Sequence, residues 1–476
     1  MDKEAGQKET GTVTGIYQEF EHWNVNKGDQ TIHAKRMPGF FRTVKNYTQA
    51  LWLLFFVVPY LRWNGKQAIL FDIEHRQFHF FNLTVLPQDI WMLSLLLLLL
   101  AMVLFAVTSL ASRVFCGYFC FQTAWTDWFV WLEDKIEGNP HARRKLAAAP
   151  WNAEKIWKKS IKHFIWMAIS LFTGISFSIW FVDAYDYWND LLHFQLPLVG
   201  WVTLIAFFFG TYIMAGLLRE QVCMWMCPYA RIQGVMTDSQ TILPAYDFRR
   251  GEPRGKLHRK AAEGGAAQGD CIDCFQCVQV CPTGVDIRDG QQLGCITCGL
   301  CLDACDSIMD KVGKPRGLIR YASLDELEGK PARKMYQHPR TLVYIGIILI
   351  AFGGIVYGLT HLGSLTLKVI PERQPLFVSL SDGSIRNRYE FKALNKTDKD
   401  LFVKVTAEGG VKGQAIIGAE KPLLTHHGRS TSFTIFVRAP GENIKKEVTP
   451  IGFRIESVDD PLIAAEYKTK FNGPKQ

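Results

Sequence analysis

The sequence has no cysteine before residue 116 and none after residue 305, so no disulfide can staple either end of the chain. It contains no Walker A sequence, no nucleotide-binding glycine fingerprint and no triad-like arrangement. The usual signatures of phosphate, dinucleotide and acyl-transfer chemistry are therefore missing. No CxxCH occurs, so covalent c-type haem attachment is not indicated. The first 46 residues lack a short apolar core followed by a small-residue cleavage site. The N-terminal tail is accordingly expected to remain in the cytoplasm, with the first apolar span acting as the insertion signal.

Apolar residues are abundant but segregated. Mean hydropathy is only +0.02, yet the hydrophobic 48% of these 476 residues gathers into runs. Five of them, about Tyr47–Trp63, Asp89–Leu110, His163–Ala184, Leu196–Leu218 and Thr341–Leu362, approach the roughly 20 residues that cross a bilayer. The first is the shortest and is interrupted by Pro59. Lys and Arg number seven in residues 1–46, two in 64–88, nine in 111–162 and none in 185–195. This alternation puts the N-terminus, 111–162 and 219–340 inside, and 64–88, 185–195 and the C-terminal region outside. The net charge of +9 is largely topology charge. It favours anionic lipid headgroups and requires no nucleic-acid partner.

Eight of the twelve cysteines fall in one region. Cys271, Cys274, Cys277 and Cys281 read C-x2-C-x2-C-x3-C-P, and Cys295, Cys298, Cys301 and Cys305 repeat the spacing with Asp306 in place of proline. This is the bacterial two-cluster ferredoxin pattern, in which the fourth cysteine of each run ligates the other cube. The expected sets are Cys271, Cys274, Cys277 and Cys305 for cluster A, and Cys281, Cys295, Cys298 and Cys301 for cluster B. Two-residue gaps fold the chain tightly enough for three thiolates to meet one cube. Zinc ribbons also use CxxC pairs, but a doubled three-plus-one pattern matches them poorly. A disulfide reading conflicts with the reducing side on which the segment is placed.

The other four cysteines are Cys116 and Cys120 in FCGYFCF, and Cys223 and Cys227 in VCMWMCP. Each pair follows an inward-running span and an upstream arginine, Arg113 or Arg219, which suggests a duplicated helical hairpin. If each pair is helical, its thiols share one face. Four such thiols suit Cu(I) or a further iron–sulfur centre, while buried small hydrophobes are the plain alternative. Met224 and Met226 would point away from that face and read as packing.

Residues 249–270, RRGEPRGKLHRKAAEGGAAQGD, combine a basic half suited to headgroups with a Gly/Ala half that reads as a flexible tether; docking of an acidic redox partner is the alternative. After the fifth span, about seven short alternating segments suggest a β-sandwich of immunoglobulin-like architecture, read as an interaction module. His426–His427 reads as an exposed turn, and His163 and His193 as interfacial residues. The expected class is an α-helical integral membrane protein of about five spans, with an inserted two-cluster ferredoxin-like α+β domain and a C-terminal all-β sandwich. Its divisions are a tail (1–46), a first transmembrane hairpin (47–110), a basic loop (111–162), a second hairpin (163–218) and a CxxxCP segment with basic linker (219–262). A ferredoxin-like domain (263–325), a linker with the fifth helix (326–362) and the sandwich (363–476) follow.

Five spans, CGYFC, CMWMCP, paired ferredoxin motifs and a trailing sandwich together resemble the FixG/RdxA/CcoG cytochrome c oxidase accessory proteins. The membrane cysteine motif is also similar to that of NapH-type quinol-linked ferredoxins, which lack the sandwich. One departure is Phe121 after the first pair, where the family's C-x3-C-P has proline, as Pro228 does after the second. The resemblance implies a bacterial inner-membrane protein with two [4Fe–4S] clusters that reduces Cu(II) to Cu(I) for assembly of a cbb3-type oxidase. The expected copper site is Cys116, Cys120, Cys223 and Cys227. Expected partners are a cytoplasmic electron donor, copper-transport or oxidase-assembly proteins, membrane lipids and a periplasmic protein for the C-terminal domain. A quinol-linked electron-transfer subunit and an assembly scaffold with structural clusters are the alternatives.

Overall fold

Long apolar runs free of interior proline form the longest helices. The computed structural model describes residues 32–73, 77–81, 83–85, 90–256, 268–292, 294–331, 337–360, 363–397, 399–428 and 430–474. The first 31 residues of the tail, Arg76 and the tether core 257–267 lie outside the described residues. In chain order the main helices are α1 (Phe40–Ala50), α2 (Leu53–Val57), α3 (Ile90–Ala111), α4 (Val114–Tyr118), α5 (Phe121–Ile136), α6 (Ala153–Ser178) and α7 (Leu198–Thr211). They continue with α8 (Pro228–Met236), α9 (Gln276–Gln279), α10 (Leu300–Val312) and α11 (Pro339–Thr360).

Among the described residues, four helices are long and apolar enough to cross a membrane: Trp91–Ala111, Ala153–Ser178, Leu198–Leu218 and Pro339–Thr360. The run expected at Tyr47–Trp63 is not one of them. The chain leaves α1 at Leu51, and a 3-10 turn containing Pro59 follows α2, because proline lacks the N–H that a continuing helix needs. This broken segment is nevertheless anchored along its length. Thr48 Oγ1 donates to the Tyr118 carbonyl at 3.0 Å and Trp52 Nε1 to the Phe119 carbonyl at 2.9 Å. Further on, Trp180 Nε1 donates to the Phe55 carbonyl at 3.1 Å and Trp188 Nε1 to the Tyr60 hydroxyl at 2.9 Å.

The chain forms two units. The first, residues 1–61 and 95–352, joins the bundle to the cysteine-rich segment. Strand Leu243–Tyr246 pairs antiparallel with Ile319–Ala322, so the segment between them leaves and returns to one ribbon. The described flanks of the expected tether close on each other: Gly269 N–H donates to the Pro253 carbonyl, and Arg250 pairs with Asp270.

Acidic residues buried on α5 are paired. Glu133 on α5 meets Arg143 at 3.2 Å, Lys162 at 3.2 Å and Arg219 at 2.5 Å. Glu137, one turn on, meets Lys159 and Lys162 at 2.9 and 3.0 Å. Burial would raise the Glu133 carboxyl, but Arg219, Lys162 and Arg143 hold it down to about 2. Asp127, two turns earlier, takes Arg36 and Arg42 from the N-terminal segment at 3.2 and 3.1 Å.

The second unit, residues 62–94 and 353–476, is mostly sheet. Strands β1 (Ile69–Asp72), β2 (Gln77–Phe80) and β3 (Leu83–Val85) make one antiparallel sheet. The C-terminal part has β4 (Leu365–Pro371), β5 (Val378–Ser379), β6 (Ser384–Asn395), β7 (Leu401–Gly409), β8 (Ala415–Ile417), β9 (Leu423–Thr425), β10 (Ser430–Pro440), β11 (Val448–Ser457) and β12 (Ala464–Asn472). One antiparallel sheet runs β8-β10-β6-β4 with β5 beside β6, and the other β9-β7-β11-β12. Alternation sends Leu365, Leu367 and Val369 inward, where they share one core with Tyr389, Val403, Ile435, Phe453 and Phe471. The short β8 and β9 are additional to the seven expected strands. His426 and His427 form the expected exposed turn, with both Nδ1 atoms on Asp400.

Glu133→Gln leaves three cations around a neutral amide, so it should lower thermal stability in detergent at pH 7 by about 3 kcal/mol. The carboxyl is depressed from 4.5 to about 2, so its contribution is full above 4.5 and lost as pH falls through 2. The gap between wild type and variant should narrow over that interval.

Candidate redox centre

The two cysteine runs are copies in backbone as well as spacing. Two and four residues after the first cysteine, Asp273 and Phe275 have φ of 53° and 56°, and Thr297 and Gly299 have 56° and 71°. Left-handed residues alternating with cysteines curl the loop and turn successive amides toward its hollow, the arrangement that receives anionic groups. Each loop then enters a helix, α9 or α10.

Two cavities lie inside these loops. One is lined by Cys271, Cys274, Cys277 and Cys305 and holds about 20 Å³. The other is lined by Cys281, Cys295, Cys298 and Cys301, together with Cys277, and holds about 20 Å³. The fourth cysteine of each run thus faces the cavity of the other run. Among the described residues, no three His, Cys, Asp or Glu side chains converge tightly enough to hold a single metal ion. Four thiols spaced around a cavity fit a polynuclear cube better than a mononuclear ion. Burial pushes the thiols of Cys277, Cys295 and Cys305 up to about 12, so loading a metal group there releases protons. Cys274 is exposed, whereas Cys298 is buried.

The membrane-boundary pairs are neither regular helices nor unrelated. Four residues before the first cysteine of each pair stands a non-glycine with positive φ, Ser112 at 46° and Arg219 at 48°. Cys116 lies in the short α4, and Cys223 in a π-turn, Val222–Met226, closed by Cys227 N–H on the Val222 carbonyl. The second cysteine of each pair is extended, Cys120 at φ −61°, ψ 130° and Cys227 at φ −79°, ψ 111°, and each opens the next helix. Phe121 therefore occupies the first helical position that Pro228 occupies in the second copy, a place where proline is preferred but not required.

These pairs meet the inner ferredoxin loop. A Cβ on Gly117 would stand 2.5 Å from the Ile296 carbonyl and 3.0 Å from Cys298 Cα. Tyr118 donates to the Cys298 carbonyl at 3.0 Å and Tyr321 to the Thr297 carbonyl at 2.7 Å. Cys116 packs with Ile296, Cys298 and Leu300 in one apolar cluster, and its thiol donates to Gln233 Oε1 at 3.1 Å. Arg113 of the first copy donates to the Cys223 carbonyl at 3.3 Å. Burial raises the Cys223 thiol to about 12, and Cys120, Cys116 and Cys227 lie near enough to oppose its ionisation further. The four thiols are thus neighbours, although no three of them converge on a single point as they stand. Met224 is buried and packs on Gly294, whereas Met226 is exposed. A cavity of about 550 Å³ beside Met224 is bordered by Cys223, Arg113 and Cys295.

Sequence reasoning passed over Gly117, Tyr118 and the N-terminal basic residues. A glycine between the paired cysteines was the available signal for a close backbone approach. His163 bonds the Tyr212 hydroxyl on the neighbouring helical segment, and His193 bonds the Asn189 carbonyl one turn back.

Residues 218–324 match a 4Fe-4S dicluster domain, residues 93–140 a 4Fe-4S binding domain, and residues 355–474 the IG-like fold at the C-terminus of FixG. Protein RdxA of Cereibacter sphaeroides is 42% identical over 397 residues, covering 79% of this chain and 82% of its own length. Protein RdxB of the same organism is 42% identical, over 80% and 82%. Nitrogen fixation protein FixG of Rhizobium meliloti is 38% identical over 452 residues, 86% of each chain.

Gly117→Val should force the first cysteine pair away from the Ile296–Cys298 backbone. The expected loss is about 1–3 kcal/mol, read as a lower melting temperature and faster proteolysis of the cysteine-rich segment. A melting curve equal to wild type would contradict the close contact.

Proposed function

The chain belongs to the FixG/RdxA family, and we propose that this membrane iron–sulfur protein reduces Cu(II) to Cu(I) during assembly of a cbb3-type cytochrome c oxidase. The carrying observation is that Cys116 shares one buried cluster with Cys298 of the inner ferredoxin loop, on which the Gly117 backbone lies. Cys271, Cys274, Cys277 and Cys305 would hold one [4Fe–4S] group, and Cys281, Cys295, Cys298 and Cys301 the other. Bound there, these groups carry single electrons.

The protein's own residues arrange the rest. Exposed Cys274 gives a cytoplasmic electron donor an approach to the outer cavity. Gly117, Tyr118 and Tyr321 hold the inner loop against the membrane-boundary pairs. Cys116, Cys120, Cys223 and Cys227 offer Cu(II) four soft ligands that favour its one-electron reduction product. The match of residues 93–140 to a 4Fe-4S binding domain supports a second reading, in which the same four thiols hold a third iron–sulfur group.

A fifth crossing belongs to this reading. Thr48 and Trp52 bond the turn after α3 and α4, while Tyr60 bonds Trp188 beyond α6. Anchors on both the cysteine turn and the segment beyond α6 support reading the broken segment as that crossing. The positive-inside pattern then puts the N-terminus and ferredoxin loops in the cytoplasm of a bacterium, and the immunoglobulin-like sandwich in the periplasm. There the sandwich would meet a protein partner, and copper-transport or oxidase-assembly proteins would receive Cu(I).

Cys305→Ala should remove the same EPR signal as Cys271→Ala, and Cys281→Ala the same signal as Cys295→Ala. Loss in the uncrossed pairing would overturn the ligand sets. Copper reduction should collapse in Cys223→Ala/Cys227→Ala protein that keeps about 8 irons per chain, the content of two cubes. About 12 irons in wild type, falling to about 8 in that variant, would assign the quartet to iron–sulfur.

A further inference from the structure

Cys223 also borders a small cavity of about 50 Å³, enclosed by the N-terminal segment, α5, the turn at Arg219 and the inner ferredoxin loop. At roughly 10–15 Å³ per water it has room for a few waters or one tetrahedral oxyanion. Among the described residues its walls carry five cations, Lys35, Arg36, Arg42, Lys45 and Arg219, against Asp127 and Glu220.

Among the described residues, four buried donors on these walls have no acceptor: Lys45 Nζ, Arg42 Nη2, Arg219 Nη1 and Thr123 Oγ1. Lys45 is 0% exposed, and the other three are 6–7% exposed. Asp127 does not satisfy Lys45, because its carboxylate is engaged by Arg36 and Arg42 and stands 4.0 Å from Lys45 Nζ. That separation is too long for a hydrogen bond. Arg219 already spends Nε on the Gly216 carbonyl and Nη2 on Glu133, which leaves Nη1 for something else. A buried charged donor without a partner costs more than a neutral one. Four of them around one void call for an acceptor with several oxygens and negative charge.

We propose that this cavity binds one tetrahedral oxyanion of the phosphate class, held by Lys45, Arg42, Arg219 and Thr123. The four donors match the four oxygens of such a group, and charge-assisted bonds to it would offset the cationic excess. The phosphate can be free inorganic phosphate or the phosphodiester of an anionic lipid headgroup, since Arg219 directly follows a membrane-length helix. Its place ties the N-terminal segment and α5 to Ile296 and Leu300 of the inner loop. The anion therefore acts as a clasp on the cysteine-rich segment, and the inference stands whichever metal the membrane thiols hold.

The test uses the full chain, delipidated in neutral detergent. Inorganic phosphate, compared with chloride at equal ionic strength, should raise the melting temperature saturably and give a binding isotherm. Lys45→Met should weaken that affinity about tenfold or more, and Thr123→Val, which removes one neutral donor, by a few-fold. Where phosphate has no effect, phosphorus analysis should find about one tightly held phospholipid per chain, lost in Lys45→Met; this outcome identifies the headgroup as the source. Thr123→Val keeps the test open should Lys45→Met fail to fold. Absence of both phosphate and lipid, with Lys45→Met as stable as wild type or more so, would overturn the site in favour of a water-filled void. Undiminished phosphate binding in both variants would also overturn it.

Discussion

The approach of the Gly117 backbone to Ile296 and Cys298 constrains the rest of the first unit. With no Cβ, the chain between Cys116 and Cys120 lies flat on the inner ferredoxin loop; any side chain there would collide with a carbonyl at 2.5 Å. That contact fixes where the membrane-boundary thiols stand relative to Cys298. Tyr118 and Tyr321 then lock the inner loop by bonding successive carbonyls, Cys298 and Thr297. Electron transfer weakens steeply with separation, so a rigid contact serves a redox reading better than a swinging domain would.

Holding that contact requires charge in dry places. Arg36 and Arg42 reach from the N-terminal segment to Asp127 on α5, while Lys35 donates to Gln276 at the start of α9. The same short segment therefore binds the membrane-side helix and the ferredoxin loops at once. Glu133 and Glu137 repeat the device lower on α5, against cations from α6 and from the Arg219 turn. Buried pairs of this kind add little net stability over an apolar core, but losing one member is costly. Their effect is to make the assembly specific: α5 can sit in only one register against its neighbours without stranding a charge.

What the sequence made legible followed from short-range rules. Cysteine spacing foretold which thiols would share a cavity, because the gaps limit reach, and alternation along β4, β6 and β10 marked the inward residues. What it hid was tertiary. Tyr47–Trp63 has the apolar content of a span, but Pro59 and the turn at Leu51 break it, and hydrogen bonds from Trp180 and Trp188 hold it instead. The pairing of Arg250 with Asp270 was hidden in the same way, because the two are twenty residues apart in sequence and adjacent in space. Lys45 resembled one more topology charge, and nothing local signals that it is buried.

The duplicated cysteine pairs explain why the two copies differ in sequence yet agree in backbone. Both need a left-handed residue, a short turn bearing the first thiol, and an extended second thiol that opens a helix. Ser112 and Arg219 meet the first requirement, and Phe121 and Pro228 the last, so the side chains can diverge. They diverge where the partners differ. Gly117 admits a carbonyl, whereas Met224 at the matching position fills space beside Gly294. One copy is built for backbone approach and the other for side-chain packing, and both rest on the loop that carries Cys295 and Cys298. A symmetric hairpin repeat is thereby fitted to one asymmetric redox domain.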